Sequence, residues 1–122
     1  MADRVLIISW GQPVRGREQF GLEVLGQSTA FYAELEEAGR IDGFDVMLFP
    51  PNGLMNGCML LRGSHAQLDD VAEDMRFRRL MIDAALVVDD LVMCEGYTAE
   101  GIEQTLPLYA DAVGHVPQMA MS

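Results

Sequence analysis

The stretch Val5-Leu6-Ile7-Ile8-Ser9-Trp10-Gly11-Gln12-Pro13 decides the fold. Its β-branched and aromatic run predicts a strand over Val5 to Trp10, and Gly11-Gln12-Pro13 ends that strand at a turn. Beyond it, from Gly16 to Glu37, Phe20, Val24, Phe31 and Leu35 recur at helical spacing, with Glu18 in the first turn and Gly39 as a stop. Phe44 to Phe49 predicts a second strand ended by Pro50-Pro51, and Met55 to Arg62 a third, joined to it as a hairpin by a loop rich in Pro, Asn and Gly. Ser64 is expected to cap a helix beginning at His65. Leu68, Val71, Ala72 and Met75, then Phe77, Leu80, Met81 and Ala84, continue it past a break near Asp74. The last strand lies within Leu86 to Tyr97, with Asp89-Asp90 marking its start, a bend or a bulge. Thr98 is expected to cap a short final helix with Ile102, Leu106, Tyr109 and Val113 on one face and Pro107 disturbing its middle. The tail from Gly114 onward is not expected to order by itself.

This order predicts one domain over residues 1–122, with its core at 4–97. The β-α-β-β-α-β unit, with right-handed crossovers, gives an antiparallel sheet ordered 4-1-3-2 with both helices on one face. That is the α+β, ferredoxin-like arrangement, here followed by a C-terminal helix. One sheet face is then bare. Leu6, Ile8 and Trp10 point to one side of the first strand, Val5 and Ile7 to the other; Phe44, Val46 and Leu48 oppose Met47 and Phe49. A solvated face alternates apolar with polar residues, whereas both faces here are apolar, so the open face needs a cover. A second copy packed back to back is the simplest cover, and the C-terminal helix of the same chain is the alternative.

Composition excludes several partners. Half of the 122 residues are apolar, enough to bury about two thirds of the unfolded surface, which excludes disorder. Eight Arg, no Lys and 19 acids give a net charge of -11, so nucleic acid and acidic membranes are disfavoured. The longest uncharged stretch, Val46 to Leu61, is interrupted by Pro50, Pro51, Asn52, Gly53, Asn56 and Gly57 and does not read as a membrane span. Arg4 precedes only five residues that resemble a leader's apolar region, so a cytoplasmic location is expected. The acidic stretch 80–122 reads as a solvated face.

The stretch Ser9-Trp10-Gly11-Gln12-Pro13-Val14-Arg15-Gly16-Arg17-Glu18, the Gly39-Arg40-Ile41 helix exit and the Leu61-Arg62-Gly63 strand exit resemble an uncharacterised bacterial branch of the dimeric α/β barrels. Relatives of that branch include YCII-related proteins and antibiotic-biosynthesis monooxygenases. The resemblance covers about residues 4–97 and implies a ferredoxin-like protomer that dimerises sheet to sheet. It implies no activity, because the YCII pattern of an early His and an Asp-Pro pair is missing. The two His are His65 and His115, and Asp74 is followed by Met75.

For the site, the first and third strands are read as parallel neighbours, so that Trp10 and Arg62 finish at one edge beside both helix starts, away from the Pro50 to Asn56 loop. Arg15, Arg17, Arg62 and His65 then converge there, with Trp10 as an apolar wall, to hold a carboxylate or phosphate. Pairing of these arginines with Glu18, Asp89 or Asp90 is the competing explanation. Histidine titrates nearest neutral pH, and His65 is the one within the regular fold, which makes it the candidate acid or base. Ser64 has no nucleophile-elbow context, and His115 falls in the tail. Cys58 and Cys94, on strands separated by the first, are expected ~9 to 10 Å apart, beyond disulfide reach. No spacing suggests a metal, and Gly11 with Gly16 makes no nucleotide fingerprint, so neither metal nor cofactor is expected. Gly21 and Gly26 fall inside a helix, where close packing accounts for them. Nine Met residues, Met47, Met55, Met59, Met81 and Met93 among them, suit a core or an adaptable pocket lining.

The resulting expectation is a small homodimer that binds a compact, partly apolar or anionic molecule between helices and sheet, with no reaction assigned. The alternative is an interaction or regulatory module whose cleft is filled by Trp10, Phe31, Tyr32 and Phe49.

Overall fold

A computed structural model of the chain describes residues 2–119. Its elements follow the expected order: β1 (Arg4–Trp10), α1 (Glu18–Glu37), β2 (Gly43–Leu48), β3 (Gly57–Gly63), α2 (His65–Glu73), α3 (Met75–Val87), β4 (Val92–Tyr97) and α4 (Glu100–Gly114). The sheet runs β2-β3-β1-β4, the expected 4-1-3-2 order taken from the other edge, with every neighbouring pair antiparallel.

Local chemistry sets the boundaries. Gly16 takes φ +86, a left-handed value that suits glycine, so α1 starts at Glu18, two residues later than periodicity suggests. The helix ends in a Schellman arrangement on Gly39 (φ +72), in which the Gly39 amide donates to the Glu36 carbonyl and the Arg40 amide to that of Leu35. Ser64 caps α2 as expected: its hydroxyl accepts from the Gln67 amide at 3.1 Å, and the Gln67 side chain accepts from the Ser64 amide at 2.8 Å. The break falls on Asp74, which ends α2 and caps α3 by accepting from the amides of Arg76 and Phe77. Met55 lies in the β2–β3 loop rather than in β3, because the Asn52 side chain accepts from the Leu54 and Met55 amides and folds that loop on itself.

The C-terminal helix departs from expectation in two ways. Its N-cap is Ala99 (φ 46), not Thr98, and it continues through Pro107 without a break to Gly114. The tail expected to be unordered extends to residues 120–122, which lie outside the described residues.

Helices α1, α2 and α3 cover one sheet face. Ile8, Met59 and Leu61 from the sheet pack with Phe31, Tyr32, Leu35, Leu68, Val71, Phe77, Leu80 and Met81 from the helices. On the opposite face, in register, stand Val5, Ile7 and Ser9 of β1, Cys58, Leu60 and Arg62 of β3, Val92, Cys94 and Gly96 of β4, and Asp45 and Met47 of β2, with Arg62 and Asp45 ion-paired. Helix α4 leaves that face uncovered. Its first turn docks where buried Gly101 lies against Asp3 and Arg4, while Ile102, Leu106, Tyr109 and Val113 stay exposed. Among the described residues no helix is long and apolar enough to cross a membrane.

Candidate binding cavity

The space between the helices and the sheet is not filled. A half-open cavity of about 300 Å³ lies at the Trp10 end of the sheet, between α1, α3 and the inner face of β1 and β3. Its cause is side-chain size. Where α1 passes α3, α1 presents Gly21 and Ser28 and α3 presents Ala84, and these small residues leave room that Ile8, Met59, Met81, Leu25 and Val87 line but do not occupy. Gly21 and Gly26 therefore do not serve close helix packing: a Cβ on Gly21 would meet nothing nearer than Val87 at 4.0 Å, and one on Gly26 nothing within 4 Å.

The mouth is built by backbone pairing. Gly11 donates to the Asp89 carbonyl, Asp89 to that of Gln12 and Val14 to that of Val87, each at 2.8 Å, which ties the β1–α1 loop to the α3–β4 loop. The Asn56 amide donates to the Trp10 carbonyl at 2.8 Å, so the Pro50 to Asn56 loop closes the same end. Trp10 lies across Gly57, its register partner, and forms one wall.

Few polar groups line the cavity. Glu18 stands at its edge, with a carboxylate oxygen that accepts from the Gly16 amide at 2.7 Å. Ser28 is buried and lies one turn before Tyr32. The Tyr32 ring is fully buried, with ring centroids 5.9, 6.0 and 6.4 Å from Phe31, Phe44 and Phe77. Its hydroxyl is buried with no hydrogen-bond partner, the one such side-chain atom among the described residues. Burial pushes the Tyr32 phenol well above the ordinary tyrosine range, so it remains a neutral donor.

Of the five residues expected to converge, only Trp10 lines this cavity. Strands β1 and β3 are antiparallel, not parallel: Arg62 pairs in register with Val5, six positions of β3 from Gly57 being filled before the chain reaches Gly63 opposite Arg4. The start of α2 therefore lies at the opposite end of the sheet from the start of α1. Arg62 pairs with Asp45, so ion pairing accounts for it, but with a partner other than Asp89 or Asp90. His65 is exposed, with Nδ1 3.1 Å from a Glu95 carboxylate oxygen. Arg17 donates to the Leu86 carbonyl at 2.6 Å, and Arg15 is exposed in the loop before α1. Asp89 and Asp90 do lie at the Trp10 end, as expected from the direction of β4. Phe49 does not line the cavity, and Phe31 belongs to the core behind it.

Cys58 is buried and burial pushes its thiol up, whereas Cys94 is exposed; both are free. Reasoning from sequence missed Ser28 and placed Tyr32 in the cleft only as a side chain that would fill it. Their i, i+4 spacing on the buried face of α1 was the available signal.

No protein-family model matches the chain. No curated protein matches it at a significant level. Among solved structures, a dimeric protein of unknown function and ferredoxin-like fold from Bacteroides fragilis NCTC 9343 superposes with a TM-score of 0.58. At 12% identity the match covers 77% of this chain and 95% of that one. The fold is ferredoxin-like. SnoaB, a cofactor-independent oxygenase from Streptomyces nogalater, superposes with a TM-score of 0.49 and 16% identity, covering 80% of this chain and 93% of its own.

Proposed function

We propose that this ferredoxin-like protein binds a compact, neutral, predominantly apolar small molecule in the cavity between α1, α3 and the sheet. The cavity itself carries the reading: about 300 Å³ of half-open apolar space that reaches in against the core residues Ile8, Met59 and Met81. That volume stands at the lower end of the roughly 300–1,000 Å³ usual for small-molecule sites, which favours a one- or two-ring ligand. No arginine lines the space and the Glu18 carboxylate borders it, so a neutral ligand fits better than the anion expected from the sequence. Titration with indane tests this. Trp10 is the single Trp and forms a wall, so its emission should change saturably as indane enters. Unchanged emission together with an unchanged melting temperature up to indane's solubility limit would refute it.

The protomer is proposed to work as a homodimer joined through the open sheet face. Val5, Ile7, Met47, Leu60, Val92 and Cys94 make that face largely apolar, with the Arg62–Asp45 ion pair toward one end, and α4 of the same chain leaves it bare. The dimeric state of the Bacteroides fragilis protein supports the same assembly.

A further inference from the structure

We infer that the molecule held in the cavity carries a neutral oxygen, a carbonyl or hydroxyl, at its inner end, and that the Ser28 hydroxyl donates a hydrogen bond to it; this rests on the binding reading above. Glu18, Gly21, Leu25 and Ser28 line the cavity from one face of α1. Glu18 marks the edge, and ten residues at 1.5 Å each set Ser28 about 15 Å further along the helix. A hydroxyl inside a helix can return its proton to the carbonyl four residues back, as Thr29 does to Leu25 at 2.9 Å and Thr105 to Gly101 at 2.7 Å. The Ser28 hydroxyl makes no such bond and has no other partner among the described residues, although the residue is only 4% exposed. Yet it is not sealed: the one unpaired side-chain atom shut off from water among those residues is the Tyr32 hydroxyl. The Ser28 oxygen is therefore open to the space that its residue lines, which is the cavity. The other polar lining stands elsewhere, Glu18 at the edge and Asn56 beside Trp10, to whose carbonyl its amide donates. No cation lines the space, so an ionised group beside Ser28 would go uncompensated and the oxygen is neutral. The site thus discriminates by a single atom: a hydrocarbon fills the space, and a ketone of the same shape also takes the free Ser28 donor.

Calorimetric titration of indane and 1-indanone into the wild type, Ser28→Ala and Asn56→Ala tests this, with the carbonyl stretch of bound 1-indanone read by infrared difference spectroscopy. Ser28→Ala removes one oxygen and places a stronger helix former in α1, and a melting curve checks that the variant is folded. It should lower the affinity for 1-indanone relative to indane about tenfold, as expected for one lost hydrogen bond, and move the bound carbonyl band to higher frequency. Asn56→Ala should leave both readings in place. A ratio or a band that Ser28→Ala does not move, or that follows Asn56→Ala instead, would overturn the inference and leave the cavity reading standing. Failure of both ligands to bind the wild type would overturn the cavity reading and this inference with it.

Discussion

Trp10 lies over Gly57, its register partner on β3, so closely that a Cβ at Gly57 would stand 2.6 Å from the indole Cζ2 and 2.7 Å from the Met47 carbonyl oxygen. The missing side chain on β3 gives the indole its place, and the indole in turn walls the cavity. Gly57→Ala must therefore push Trp10 or β2 aside. It should destabilise the protein by about 1–3 kcal/mol, the usual range for overpacking. Chemical denaturation measures that loss, and a shifted Trp10 emission maximum in the folded variant reports the displacement. Unchanged stability and emission would show that the indole has room to spare.

Tyr32→Phe should stabilise the unliganded protein, because it deletes a buried hydroxyl without a partner and keeps the ring among Phe31, Phe44 and Phe77. A gain of about 1–2 kcal/mol is expected. The pH dependence has a definite sign. Burial raises the phenol's folded-state pKa, so its contribution is intact below the unfolded value of about 10 and is lost as pH rises above it. The advantage of the Phe variant should be constant from pH 6 to 9 and widen above 10 in paired melting curves.

Asp74 offers the opposite pH signature at the α2–α3 junction. Desolvation, which alone would raise its carboxyl, is outweighed by hydrogen bonds from Arg40 and from the Arg76 and Phe77 amides, so its pKa is held below the ordinary range. Its stabilisation is present above about pH 4 and is lost as pH falls through the depressed folded value. Asp74→Ala should cost about 1–2 kcal/mol near neutral pH, as for a lost helix cap. The gap from wild type should narrow below pH 4.

How much of this was legible in the sequence can be argued residue by residue. Val5 to Trp10, the Gly39 stop, the Ser64 cap and the Asp74 break each announce themselves through local chemistry, and together they fix the strand order. Strand direction needs a count of chain reversals. The β1–α1–β2 crossover leaves β2 parallel to β1, and the hairpin then reverses β3. A miscount there moves Arg62 and His65 to the wrong end of the sheet and the Pro50 to Asn56 loop away from Trp10, where its Asn56 amide in fact bonds. The cavity was hidden for another reason. It depends on Gly21, Ser28 and Ala84 meeting across a helix pair, and sequence spacing does not give the relative rotation of two helices.

The open face gives an assembly test. Light scattering at micromolar concentration should return twice the 13.5 kDa chain mass. Ile7→Asp, which places a charge amid Val5, Leu60 and Cys94, should split the dimer. Cys94 is exposed on the protomer, so a thiol reagent should reach it slowly in the wild type and readily in the variant. A monomeric wild type with a freely reactive Cys94 would contradict the assembly.

The most direct test of the binding site is the position of bound indane, read from nuclear Overhauser contacts between the unlabelled ligand and isotope-labelled protein. The proposed site predicts contacts with the Ala84 methyl, Leu25, Met81 and the Trp10 indole, and their loss in Ala84→Leu, whose larger side chain fills the space while stability holds or rises by about 0.5–2 kcal/mol. Contacts confined to the open face at Ile7 and Leu60, or contacts at Ala84 that survive Ala84→Leu at undiminished affinity, would contradict it.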